Sequence, residues 1–163
     1  MFSIEIIQTL YGYHYWANSR ILACSGKLDP GDYFAPTDYS HGSLHSLLFH
    51  MLRAEHIWRQ LCQAGTLSSP LLQPENYPDL EALTNQWKLE ERAMRAFIAS
   101  LSADQIEGQV QVTKPDGNIS PMRMWRMLVH VVLHGMQHSS EAAALLTGYG
   151  QSPGDLDFIF YPE

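Results

Sequence analysis

Cysteine is scarce: Cys24 and Cys62 are the two in 163 residues, and no CxxC spacing occurs. That excludes a disulfide-built scaffold or a cysteine zinc ribbon, and it suits buried thiols in a reducing compartment. Positive charge is also short. Ten Lys and Arg face seventeen Asp and Glu, giving a formal charge of −7 without any basic run. Such a chain makes a poor partner for a phosphate backbone, so no nucleic acid is expected. No stretch approaches the roughly 18 apolar residues of a membrane span, so no membrane partner is expected either. The opening Met1-Phe-Ser-Ile-Glu5 lacks the basic and apolar regions of a secretory signal. The expectation is a soluble cytoplasmic protein.

What is present is an ordinary globular composition, 45% hydrophobic and 17% charged. Residues 1–163 suit a single domain, long enough to bury about 70% of its unfolded surface. Four long amphipathic patterns run along it. The first spans Ser3 to Ser25, with Ser3 as N-cap, Gly26 as stop and an inward face of Ile7, Leu10, Tyr11, His14, Ile21 and Leu22. A loop over 27–42 leads to Ser43, which caps a second helix to about Ala64. Its apolar stripe is Leu47, His50, Ala54, Ile57, Trp58 and Leu61, so His50 is expected to face the core. Gly65 to Pro78 forms a second long loop, and Asp79 caps a third helix over Leu80–Leu101. The charges Lys88, Glu90, Glu91, Arg92 and Arg95 read as its solvated face.

Ser102 is placed to cap one further turn. Gln109-Val-Gln-Val-Thr113, then Lys114-Pro-Asp-Gly-Asn118, carries the marks of a short hairpin. Ser120-Pro121 reads as N-cap and first helical residue of a fourth helix, about 26 residues or roughly 39 Å long, stopping at Gly148. The apolar Asp157-Phe-Ile-Phe-Tyr161 is expected to dock on the bundle. The fold class is therefore all-α: an antiparallel four-helix bundle with long connecting loops and at most a minor hairpin.

Histidine carries the chemistry. Eight histidines placed at random would give about 0.3 pairs four apart; three exist, His41/His45, His130/His134 and His134/His138. Residues four apart stack on one helix face, and two imidazoles there can reach one metal at about 2.0–2.1 Å. Spacing alone leaves open which pair does so. His41 and His45 remain an alternative metal pair at a helix start, with a solvated N-terminal turn as the preferred reading. His50 on the second helix and His134 with His138 on the fourth would form a buried imidazole cluster. Protonated, these rings would repel; neutral, they would leave donors unpaired, unless a cation collects them. Three ligands leave a fourth position for water or substrate.

These residues carry a resemblance. Tyr15-Trp-Ala-Asn18 with Arg20, then Gly42-Ser43, Leu47, His50, Glu55 and Trp58, then His130-Val-Val-Leu-His-Gly-Met-Gln-His138, resemble the motifs of the DinB-like (YfiT-like) metal-binding four-helix bundles. The likeness covers almost the whole chain. It implies that His50, His134 and His138 are the metal ligands, with His130 and Glu55 as supporting neighbours. One departure stands out: Ser139-Ser140-Glu141 replaces the Arg-Gly-Gln that often follows the last ligand, so a local positive charge is lost.

The resemblance further implies a divalent-metal-dependent transferase or hydrolase in a homodimer, using a low-molecular-weight thiol or metal-bound water on a small-molecule substrate. An open metal position would lower the pKa of that nucleophile. Zinc and nickel both suit imidazole. Tyr11 or Tyr15 would be the hydroxyl donor to substrate. The rival expectation is a non-enzymatic or stress-response bundle whose metal is structural or sensed.

Overall fold

The computed structural model describes residues 3–162; the signal-peptide reading of Met1 and Phe2 lies outside them. Four long helices build the bundle: α1 (Ile4–Ser25), α3 (Leu44–Ala64), α4 (Leu80–Ser100) and α6 (Met124–Gly148). Two short ones, α2 (Pro30–Tyr33) and α5 (Ala103–Glu107), lie in the connections, and β1 (Gln109–Thr113) pairs antiparallel with β2 (Ile119–Arg123). The expected caps form: the side chains of Ser3, Ser43 and Asp79 each accept a backbone N–H of the first turn. Ser102 and Gln105 close a capping box at α5.

Two helices run each way. Tyr11 meets Leu128 and Asn18 meets Ser139, so α1 and α6 are parallel neighbours. His50 meets His134 and Trp58 meets His130, so α3 runs against α6. Arg95 lies over Tyr15 and Leu80 beside Gly26, so α4 runs against α1 and hence alongside α3. Parallel neighbours need a connection as long as the helix, roughly 30 Å for α3. Residues 65–79 supply it. The segment leaves Gly65 (φ +69), whose carbonyl accepts the N–H of Thr113, and returns to the start of α3 where His45 meets the Tyr77 carbonyl. Gln60 holds it midway through the N–H groups of Ser68 and Ser69.

The core has two apolar clusters. One gathers Ile21, Leu44, Leu48, Leu52, Leu83, Trp87 and Leu146; the other gathers Ile7, Tyr11, Met94, Ile98, Met127 and Leu128. Between them lies a buried polar layer of His14, Asn18, Glu55 and Ser139. No helix among the described residues is long and apolar enough to cross a membrane.

Four local expectations change. Ser120 and Pro121 do not start α6 but continue β2, where Pro121, which has no N–H to donate, sits opposite Gln111 in a sheet that has two strands among the described residues. Glu90 is not on a solvated face. It is 1% exposed, because Arg59 and His56 of α3 reach it with charge-assisted hydrogen bonds. Gly148 ends α6 without capping it, and Gly150 (φ +73) takes the left-handed position. The tail docks through Pro153, Leu156 and Tyr161, whose backbone and rings meet Arg20, Tyr13 and Trp16, while Phe158, Ile159 and Phe160 remain exposed.

Candidate metal centre

The antiparallel seam of α3 and α6 positions the histidines. On α6, His134 and His138 are one turn apart; His138 is buried and His134 half-buried. His50 does not face the core as its stripe suggested. The buried face of α3 is Leu44, Leu47, Leu48, Met51, Leu52 and Glu55, and His50 is half-buried at its edge, against α6. The shift follows from Glu55, a polar residue drawn inward by His14 and Tyr15, which rotates the helix from its apolar stripe. An edge position keeps the imidazole reachable from solvent.

The three rings converge through one kind of atom. Nε2 of His134 lies 3.3 Å from Nε2 of His50 and 3.2 Å from Nε2 of His138. Two nitrogens bound tetrahedrally at about 2.0–2.1 Å lie roughly 3.3–3.4 Å apart, so both separations are compatible with ligands of one ion. Proton bookkeeping points the same way. Glu141 accepts from Nδ1–H of His138 at 2.7 Å, which leaves Nε2 of a neutral His138 with a lone pair. The single proton that Nε2 of His134 can carry serves one of its two contacts, and the other sets like against like. A cation at the centre would meet three lone pairs instead. Burial, then the neighbouring histidines, pushes His50 and His134 down to about 4, so both are neutral at physiological pH.

A fourth imidazole joins from the loop before α3. His41 stacks on His50 with ring centres 3.9 Å apart and stands edge-on to His138 at 5.2 Å. One ring nitrogen each of His41, His50 and His138 falls within a common 4.8 Å. That set leaves out His134, which meets His50 and His138 one at a time through Nε2. His45 is elsewhere, its Nε2 2.8 Å from the Tyr77 carbonyl and its ring against Phe34. Glu141 ties the assembly together, accepting from Ser40 as well as His138. Burial works to raise its carboxyl, but those hydrogen bonds outweigh burial and hold it below the usual value.

The other candidate residues lie around this centre or behind it. His130 is exposed, packs edge-on to Trp58 at 4.6 Å and has its ring 5.6 Å from that of His134. With Met122, Arg126 and Trp58 it lines a cleft of about 440 Å³. Glu55 is turned away from the imidazoles into the polar layer: His14 Nε2 lies 3.2 Å from its carboxylate, and Tyr15 donates to it. Tyr11 donates to the Leu128 carbonyl at 3.1 Å. Burial first, and then Cys62 and Glu55 near Tyr11 or Glu55 beside Tyr15, raises both phenols well above their ordinary value. Burial also pushes the Cys62 thiol up to about 12, which leaves it inert at neutral pH.

Sequence reasoning noticed Glu141 only as a departure and set His41 aside. The i, i+3 spacing of His138 and Glu141 was the available signal for the first. For the second, the i, i+4 pair His41/His45 was the signal, and only His41 of that pair lies beside the centre.

With this geometry in view, the comparisons are specific. A sequence model of the DinB family matches residues 1–163. Protein DinB of Bacillus subtilis (strain 168) is 27% identical over 161 residues, covering 93% of this chain and 92% of that protein. The crystal structure of a DinB-like protein from Bacillus subtilis superposes with a TM-score of 0.64 at 15% identity, covering 88% of this chain and 92% of that one. At that identity the likeness speaks for the fold alone.

Proposed function

The chain belongs to the DinB family, and we propose that it is a metal-dependent transferase or hydrolase whose divalent ion, zinc or nickel, is held by His50, His134 and His138. The observation that supports this is the pair of Nε2 separations, 3.3 and 3.2 Å, which match the spacing of ligands on one tetrahedral ion. Such an ion would supply Lewis-acid activation of a low-molecular-weight thiol or a water reaching its fourth position.

The residues divide the work. His50 and His134 offer neutral nitrogens, and Glu141 fixes the ring and tautomer of His138. The cleft at His130 admits a small molecule beside the centre. The Trp58 ring offers an apolar wall, and Arg126, which has no ion pair among the described residues, offers a cation to an anionic substituent. A homodimer belongs to this reading, and sedimentation at tens of micromolar tests it.

The experiment is metal analysis of protein purified without chelators, followed by a thiol-conjugation screen with and without chelator. One equivalent of metal is expected, lost in His50→Ala, His134→Ala and His138→Ala and kept in His130→Ala. Full metal in His134→Ala would overturn the ligand set, and chelator-insensitive turnover would overturn the metal's role. A second reading, in which the metal is structural or sensed, is favoured by one observation: a fourth imidazole, His41, lies beside the centre, with one ring nitrogen in a common 4.8 Å set with His50 and His138.

A further inference from the structure

We propose that His41 is an exchangeable fourth ligand, carried by the loop before α3, that closes the metal centre at rest and yields its position to an incoming thiol. This rests on the metal reading above and would reconcile a four-histidine shell with catalysis.

Three features of the loop carry it. First, the ring is close by: one of its nitrogens falls within the 4.8 Å set with His50 and His138, and it stacks face-on upon His50 at 3.9 Å with 21° between planes, so a turn of the ring about its own side-chain bonds is what would aim its lone pair at the ion. Second, the backbone is shaped to present it. Ser40 (φ 54) and Gly42 (φ 84) on either side are both left-handed, and the N–H of Thr37 donates to the Gly42 carbonyl at 2.9 Å, so His41 sits at the tip of a tight turn. A serine at positive φ is a conformation that the surroundings must hold. Third, the turn is tied to the centre itself, because Ser40 donates to the same Glu141 carboxylate that orients His138.

What separates His41 from the other three is how it is held. His50, His134 and His138 project from long helices fixed by packing. His41 is exposed, and no hydrogen bond reaches its ring among the described residues. By contrast, His45, one helical turn away, is held by the Tyr77 carbonyl. His41 can therefore swing out while the helical set stays. A thiolate is a charged, softer donor than a neutral imidazole, so exchange favours the thiol. In that exchange the thiol would give up its S–H proton to solvent and sulfur would take the position that His41 leaves; no oxidant or reductant is consumed.

Cobalt(II)-loaded full-length protein tests this without reference to turnover. Metal stoichiometry, cobalt affinity and the visible spectrum are read for the parent and His41→Ala, with 2-mercaptoethanol as the titrated probe. His41→Ala is expected to keep one cobalt per chain, to bind it at least about tenfold more weakly, to show an altered ligand-field spectrum, and to bind the thiol more tightly than the parent does. An unchanged spectrum and unchanged thiol affinity in His41→Ala would overturn the proposal while leaving the three-histidine reading intact. Complete loss of cobalt in His41→Ala would also overturn it, since His41 would then be an obligatory ligand. A parent that binds no cobalt would instead sink the metal reading itself.

Discussion

The Glu141 carboxylate stands 2.7 Å from Nδ1 of His138, three residues earlier on the same helix. That contact aims the other nitrogen of His138 at His134, and the same carboxylate also anchors Ser40. Carboxylate–histidine pairs of this kind raise ligand basicity and fix ring orientation; removing them commonly costs about 10–100-fold in metal affinity. Glu141→Ala should lose that much, measured by competition against a chromophoric chelator. Glu141→Gln, which retains an acceptor oxygen, should lose less. Equal affinity in parent and Glu141→Ala would mean that helix packing alone orients His138.

Acid should destabilise the metal-free protein over a defined window. Burial and the neighbouring imidazoles hold His50 and His134 at about 4 in the folded state. In the unfolded chain each titrates near 6.5. Between those values the unfolded chain takes up protons that the folded one refuses, so stability falls as pH drops from about 6.5 to about 4 and levels off below. Urea midpoints at several pH values, with chelator present, read the slope. The double variant His50→Ala/His134→Ala should flatten it. An unaltered slope in that variant would assign the effect to other groups.

The long helices were legible because each carries its own signals. Ser43 with the Gly65 cap bounded α3, and Asp79 with Leu83, Trp87, Met94 and Ile98 outlined α4. These are local features, and local physics sets them. What could not be read depends on partners far away in sequence. Glu90 sits in a run of charges, and nothing nearby says that Arg59 and His56 will bury it. Ser120-Pro121 is a sound helix start until β1 pairs with it. At the site, His134 and His138 were visible as a spacing, His50 as a histidine on an apolar stripe, and the resemblance joined the three. That His41 approaches His50 needed the fold, since eight residues and a helix start lie between them.

The two tyrosines singled out as donors are expected to contribute to stability through different contacts. Tyr15 donates to Glu55 inside the polar layer, so Tyr15→Phe leaves a buried carboxylate short of a donor and should cost about 1–3 kcal/mol. Tyr11→Phe removes one bond to the Leu128 carbonyl and should cost about 1 kcal/mol or less. Chemical denaturation measures both. The same variants, assayed in thiol transfer at full metal occupancy, test the donor role. Parent-like rates in both would remove these hydroxyls from the chemistry.

Gly135, next to His134, is the position where backbone and site are most tightly coupled. A Cβ built there would lie 2.3 Å from Cε1 and 2.6 Å from Nδ1 of His14. That ring cannot easily retreat, because its Nε2 is engaged by Glu55 at 3.2 Å and Asn18 at 3.1 Å. Alanine in place of glycine normally favours a helix by about 1 kcal/mol. Here overpacking, typically about 1–3 kcal/mol, should outweigh it. Gly135→Ala should therefore unfold at lower urea and, by displacing α6 at His134, bind metal more weakly. His14→Ala removes the clash, so the double variant should recover part of both losses relative to the sum of the singles. A Gly135→Ala protein more stable than its parent, with undiminished metal affinity, would show that α1 yields and that the two helices are not locked at this level.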